Sequence, residues 1–174
     1  MKHIILVNRH FFPTYNVNPQ AQGETGEALM SWLQRQLLHG KESRERTRFV
    51  NTFLPRVQQI EKDRNEIIAS YQKKNDKGDV LFLDKDGKET SDRKLAESVA
   101  LTDSLKATQD VDDLMNEEFV IDITPSNSEM VYTVRDILLN SREDYTGIMA
   151  QKYFEWTECF QNVIDEDAKP KKKK

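Results

Sequence analysis

Apolar residues step by three and four through the middle of the chain, at Val50, Phe53, Val57, Ile60, Ile67 and Tyr71, with Arg64 filling one position of the seam. This spacing keeps one side apolar over many turns and predicts a long helix over residues 43–73 that lies against another helix. Pro55 lacks a backbone donor and crowds the preceding turn, so a kink or restart is expected between residues 51 and 55. Upstream, Leu29, Met30, Leu33 and Leu37 predict a first helix over 26–39, with Thr25 as its cap and Gly40 as its left-handed stop. The apolar run in residues 2–8 predicts a buried strand, and the polar, Asn- and Pro-rich stretch 8–22 an irregular loop.

Downstream, Val80, Leu81, Phe82 and Leu83 precede an Asp-Gly turn at Asp86 and Gly87, the pattern of one hairpin arm. Residues 92–116 carry Leu95, Val99, Leu105, Val111, Leu114 and Met115 at imperfect helical spacing, which predicts a helix clearest in its second half. Phe119, Val120, Ile121, Asp122 and Ile123 form the strongest strand signal, ended by Thr124, Pro125 and Ser126. Met130, Val134, Ile137 and Leu138 predict a fourth helix that finishes near Asn140. Met149, Tyr153, Trp156, Phe160 and Val163 predict a last helix with an aromatic stripe, and only a charged tail is expected beyond Asp165. Short strands among long helical segments predict an α+β fold, a small sheet packed against a predominantly helical layer with one long kinked helix. One domain over 1–168 and a disordered Lys-rich tail over 169–174 are expected.

Composition narrows the function classes. At 174 residues the chain can bury roughly 70% of its unfolded surface in a single core. With 32% charged residues and a net charge of −4, only local patches can attract a polyanion. The single cysteine, Cys159, excludes an intrachain disulfide and a paired-thiol zinc site, and fits a reducing compartment. The apolar run Ile4 to Val7 is too short for a membrane span or a signal peptide, so a soluble, unprocessed chain is expected.

Candidate chemistry is sparse. His3, His10 and His39 lack metal-ligand spacing, and His10, beside Phe11 and Phe12, is read as packed or exposed rather than catalytic. Cys159 adjoins the Trp156/Phe160 stripe and reads as a small, inert hydrophobe. Asp84 and Asp86 before Gly87 resemble the opening of a calcium loop, but the later ligands are missing and a plain turn is preferred. No Gly-rich phosphate loop is present. Asp110, Asp112, Asp113, Glu117 and Glu118 could hold a divalent cation, although a solvated helix face is preferred. No cofactor and no metal are expected, and no enzymatic activity.

The oddest feature is the crowding of Lys41, Arg44, Arg46 and Arg48 into the first turns of the long helix, where exposed N–H groups already make the field positive. Something negative must answer it. Either the acids near 110–118 pair with these arginines, or Arg44, Arg46 and Arg48 form a partner-binding surface. Arg44 and Arg48 share a face, while Arg46 projects elsewhere. The stretch Lys169 to Lys174 reads as a solubilising tail rather than a nucleic-acid arm, because no aromatic residue is interleaved.

Residues 37–50, with Gly40, Ser43, Arg44, Arg46, Arg48 and Phe49 as the core of a Gly-Lys-x-Ser-Arg-x-Arg-x-x-Phe-Val motif, carry a resemblance. Together with the charged helix, the Asp-Gly turn and residues 114–122, the motif resembles a family of small proteins of unknown function encoded by tailed bacteriophages of Gram-positive hosts. The resemblance spans about residues 29–156, and Pro55 departs from the uninterrupted helix expected of that family. It implies a phage origin and no particular reaction. The expected function is a non-enzymatic phage accessory protein that binds a host or virion protein, as a virion component or an inhibitor of a host factor or defence enzyme. The expected location is the host cytoplasm or the virion, and pairing between copies is compatible with Arg64 in the seam. The alternative is a nucleic-acid-associated regulator that uses the arginines and the Lys-rich tail.

Overall fold

The computed structural model describes residues 2–13 and 26–165. Thr25, most of the 8–22 loop and the Lys-rich tail lie outside the described residues. The fold is α+β, with a long helix and small antiparallel sheets of short strands. The elements, in chain order, are β1 (Lys2–Val7), a 3-10 turn (Asn8–Phe11), α1 (Leu29–Arg35), α2 (Gly40–Ser70), β2 (Phe82–Leu83), β3 (Glu89–Thr90), β4 (Ser98–Val99), α3 (Ser104–Asn116), β5 (Glu118–Ile123), α4 (Ser128–Leu139), α5 (Gly147–Gln161) and β6 (Ile164–Asp165). They divide into two compact units, one of Met1–Val57 with Asn116–Lys174 and one of Gln58–Met115, so α2 contributes to both.

In the first unit β1 is the central strand, between β5 and β6 and antiparallel to each. Alternation along the strands sorts their side chains. Ile4 and Leu6 of β1 and Phe119 and Ile121 of β5 are buried together on one face. An aromatic chain continues that face: Phe119 lies 4.4 Å from Phe11 and 5.9 Å from Phe53, Phe53 4.8 Å from Phe49, and Phe49 6.2 Å from Phe160, between ring centres. Tilted and edge-on rings at these distances add to what area burial alone supplies. Trp32 of α1 sits 6.1 Å from Trp156 of α5, and both are fully buried with Met130, Val131, Val134 and Leu138 of α4. The aromatic stripe of the last helix therefore docks as its spacing predicts, while Phe154 on the other side is exposed.

The second unit has its own three-stranded sheet, with β2 between β3 and β4. Gly87 adopts φ +75° in the tight turn joining β2 to β3, where its N–H donates to the Asp84 carbonyl at 2.9 Å. A residue with a Cβ is strained in that conformation, which is the reason for glycine there. Main-chain bonds from Lys73 to Ala100, from Leu81 to Lys73 and from Thr102 to Tyr71 tie the end of α2 to this sheet. Tyr71 donates to Asp110 of α3 at 2.6 Å, and Lys106 pairs with the other oxygen of the same carboxylate at 2.6 Å.

Several boundaries differ from the sequence expectation. The first helix is Leu29–Arg35 and stops before Leu37, which is 95% exposed in the connection to α2. Gly40, with φ +55°, opens α2 rather than closing α1. Helix α2 runs unbroken through Pro55, without a restart. The helix expected over 92–116 forms only from Ser104, because Ser98 and Val99 are drawn into the sheet beside β2, and Leu95 and Leu105 are exposed. Strand β6 was not expected: Ile164 and Asp165 pair with His3 and Lys2. No helix of the described residues is long and apolar enough to cross a membrane.

Core and surface leucines and aromatics should separate cleanly in stability. Both tryptophans lie in the first unit, so their fluorescence in urea titrations reports its unfolding. Phe49→Ala is expected to cost about 3–5 kcal/mol. Leu37→Ala is expected to stay within about 0.5 kcal/mol of the parent.

Candidate functional site at the start of the long helix

The connection 36–39 and the first turns of α2 place a cluster of cations against the end of another helix. At the end of α1 the Leu33 carbonyl accepts the Gln36 N–H at 3.3 Å, while the carbonyls after it are not supplied with donors by the helix itself, and this end carries its negative pole. Arg46 answers them. Its Nη1 donates to the carbonyl of Gln36 at 2.9 Å, with longer contacts to Gln34 at 3.3 Å and Leu33 at 3.4 Å, and its Nη2 donates to Ser43 Oγ at 3.3 Å. Gln36 adds a donor to the Trp32 carbonyl at 3.3 Å. The guanidinium thus bonds the orphan end of α1 from the second turn of α2, and offsets its own unfavourable place near a helix start.

Around it the other cations are unequally engaged. Arg48 donates through Nη2 to the Ser126 carbonyl at 2.7 Å, and its Nη1 lies 3.6 Å from Glu45 on the same helix. Lys41 pairs with Glu129 of α4 at 2.5 Å, and that contact raises the lysine pKa and lowers the glutamate's. Both side chains are well exposed, so the pair adds little to stability. Arg44 is exposed and has no hydrogen-bond or ion-pair partner among the described residues. It borders an open groove of about 720 Å³ lined by Leu38, His39, Gly40, Ser43, Arg44, Thr47, Arg48, Asn51 and Thr52.

The groove floor is one face of α2. Thr47 and Thr52 turn their hydroxyls back onto the carbonyls of Ser43 at 2.8 Å and Arg48 at 2.7 Å. Pro55, one turn beyond Asn51, offers no N–H to the Asn51 carbonyl. At the other end stands the half-buried Leu38. The groove has a cationic rim with apolar and hydroxyl-bearing residues around it.

The three arginines singled out in the sequence therefore have different fates. Arg46 is turned inward, whereas Arg44 and Arg48 share the open face. The acids expected to neutralise them do something else: Asp110 serves Tyr71 and Lys106, and Asp112, Asp113, Glu117 and Glu118 are exposed. Main-chain carbonyls, Glu45 and Glu129 supply the counter-charge instead. A main-chain acceptor leaves no mark in a sequence, so only a short connection before an arginine-bearing helix start could have hinted at this clamp. No group of three metal-ligating side chains comes together among the described residues.

A second polar cluster lies where β1 ends. His10 is 4% exposed; its Nδ1 accepts the Val7 N–H at 3.3 Å, and its Nε2 faces Glu155 of α5 at 3.3 Å. Lys152 is buried and donates to the Phe12 carbonyl at 2.7 Å. Burial lowers the imidazole pKa to about 4, against the opposing pull of Glu155, and lowers the lysine's to about 8. A neutral ring with its proton on Nε2 satisfies both contacts, so His10 pins the 3-10 turn to α5. Cys159 is half-buried, and burial followed by Glu155 and Glu158 raises its pKa, which keeps the thiol protonated. Asp84 uses one carboxylate oxygen to accept the N–H groups of Asp86 and Lys88, both at 2.9 Å, as a turn does.

Protein-family models, curated proteins and solved structures yield no match to this chain.

Arg46→Ala is expected to lower stability by about 1–3 kcal/mol, since it strands carbonyls that a charged donor had satisfied. Arg44→Ala is expected to change it by less than about 0.5 kcal/mol. Urea titration of both variants checks the contrast. His10 binds its proton more weakly folded than unfolded, so its contribution is present above pH 6.5 and is lost as the pH falls toward 4. Between pH 7 and pH 4 this amounts to roughly 3 kcal/mol. His10→Gln should flatten that part of the stability profile.

Proposed function

We propose that this chain is a non-enzymatic accessory protein of a tailed phage that acts by binding another protein, a host factor or a virion component, through the open face of α2. The observation that carries the reading is the unequal use of the arginines. Arg46 is spent within the fold, whereas Arg44 stands beside a groove with no hydrogen-bond or ion-pair partner among the described residues. A cation held near a helix start costs about 0.3–1 kcal/mol until an anionic group meets it. A partner carboxylate between Arg44 and the exposed part of Arg48 would supply that group, and guanidinium geometry favours bidentate contact. Leu37, 95% exposed in the connection before α2, offers an apolar side chain of the kind that binding surfaces place near charge. The phage origin rests on the Gly-Lys-x-Ser-Arg motif, and the host cytoplasm or the particle follows from it as the place of action.

Affinity capture from phage-infected cells, with nuclease treatment, tests the reading. A protein retained by the parent chain should fall by about tenfold or more with Arg44→Glu and Arg48→Glu together. Unchanged recovery overturns the surface. Recovery that disappears with nuclease reassigns the chain to nucleic acid.

A further inference from the structure

The most complete unused binding feature outside the groove is the outer edge of β5. Its pairing with β1 fixes which main-chain groups face inward. The Asn8 N–H donates to the Glu117 carbonyl at 3.0 Å, and the register continues through Leu6 with Phe119, Ile4 with Ile121 and Lys2 with Ile123. In an antiparallel ladder such pairs exchange both bonds, so residues 117, 119, 121 and 123 point their N–H and C=O at β1. Residues 118, 120 and 122 point theirs away from it.

One side chain confirms this parity from outside. Asn127 donates to the Asp122 carbonyl at 2.8 Å and accepts the Thr124 N–H at 2.8 Å, taking the place of a neighbouring strand at that end. It stops there. The N–H and C=O of Glu118 and Val120, and the N–H of Asp122, have no partner among the described residues. They form a short open ladder of the sort that proteins ordinarily cover or blunt.

The side chains along the ladder state what fits. Glu118, Val120 and Asp122 lie on one face and are all exposed, Val120 by 49%. A second copy paired antiparallel about Val120 would set Glu118 opposite Asp122, carboxylate against carboxylate, which opposes self-pairing. A strand with a basic residue opposite each acid and an apolar residue opposite Val120 reverses that penalty. We propose that β5 accepts an extended basic segment of a partner protein as an added antiparallel strand, with a basic-x-apolar-x-basic pattern. This surface is independent of the Arg44 groove, and either can fail without the other.

The test uses the full chain and a blocked peptide Thr-Lys-Thr-Val-Thr-Lys-Thr, followed by NMR amide exchange and titration. Exchange at Glu118, Val120 and Asp122 should slow at least tenfold on binding. Methylating the peptide nitrogens of the two lysines and the valine removes the donors aimed at β5, and should weaken binding at least tenfold. Methylating the two inner threonine nitrogens, which point outward, should not. Glu118→Lys with Asp122→Lys should weaken binding at least tenfold while leaving every bond to β1 in place. Equal binding by the differently methylated peptides, or by the charge-reversed chain, overturns the proposal. So does protection of these amides in the free chain that is lost on dilution, the mark of a second copy, or lost on removing residues 169–174, the mark of the chain's own tail.

Discussion

The contact between the carbonyl end of α1 and the cationic start of α2 sets the geometry on which the open face depends. Two helix ends meet through a connection of a few residues, and each has an electrostatic problem that the other solves. The end of α1 needs donors, and the start of α2 carries an excess of positive charge. Arg46 joins them with one side chain. Its engagement leaves Leu37 and Leu38 on the outside of the connection and Arg44 at the rim. The open face is what remains once Arg46 has been used.

Much of this architecture was legible because it follows from periodicity. The strand signals at 2–8 and 119–123 became β1 and β5, and Met130, Val134 and Leu138 marked the buried side of α4. The stripe through Tyr153, Trp156 and Phe160 marked α5, since large apolar side chains at helical spacing have few other places to go. What misled was local pattern overruled by pairing elsewhere. Val99 fits a helical register, yet it is held in a strand by Phe82, whose bonds a helix could not satisfy. The two-residue strand β6 carries no period at all and exists only because β1 offers it an edge.

The candidate site was legible by charge and opaque by geometry. The arginine cluster was visible as a conflict between side chains and helix field, which is a statement about energy and needs no coordinates. Its resolution was not visible, because the answering groups are carbonyls of residues 34, 36 and 126 and carboxylates at 45 and 129. The acids that looked available in sequence are occupied or exposed elsewhere. His10 shows the same limit in reverse: an ordinary-looking histidine is held neutral by burial between Val7 and Glu155.

The order of segments along the chain bears on how it emerges during synthesis. Residues 58–115 are contiguous and contain a sheet of their own, so every partner of β2 is synthesised before β5. Strand β1 must wait for both of its neighbours, one beginning at Glu118 and the other at Ile164. Contacts this distant in sequence are slow to close, and an apolar strand without its partners invites wrong ones. The nascent chain therefore carries Ile4, Ile5 and Leu6 without their strand partners until β5 has been made, and the central strand of the first sheet, though made before its neighbours, is among the last to be enclosed.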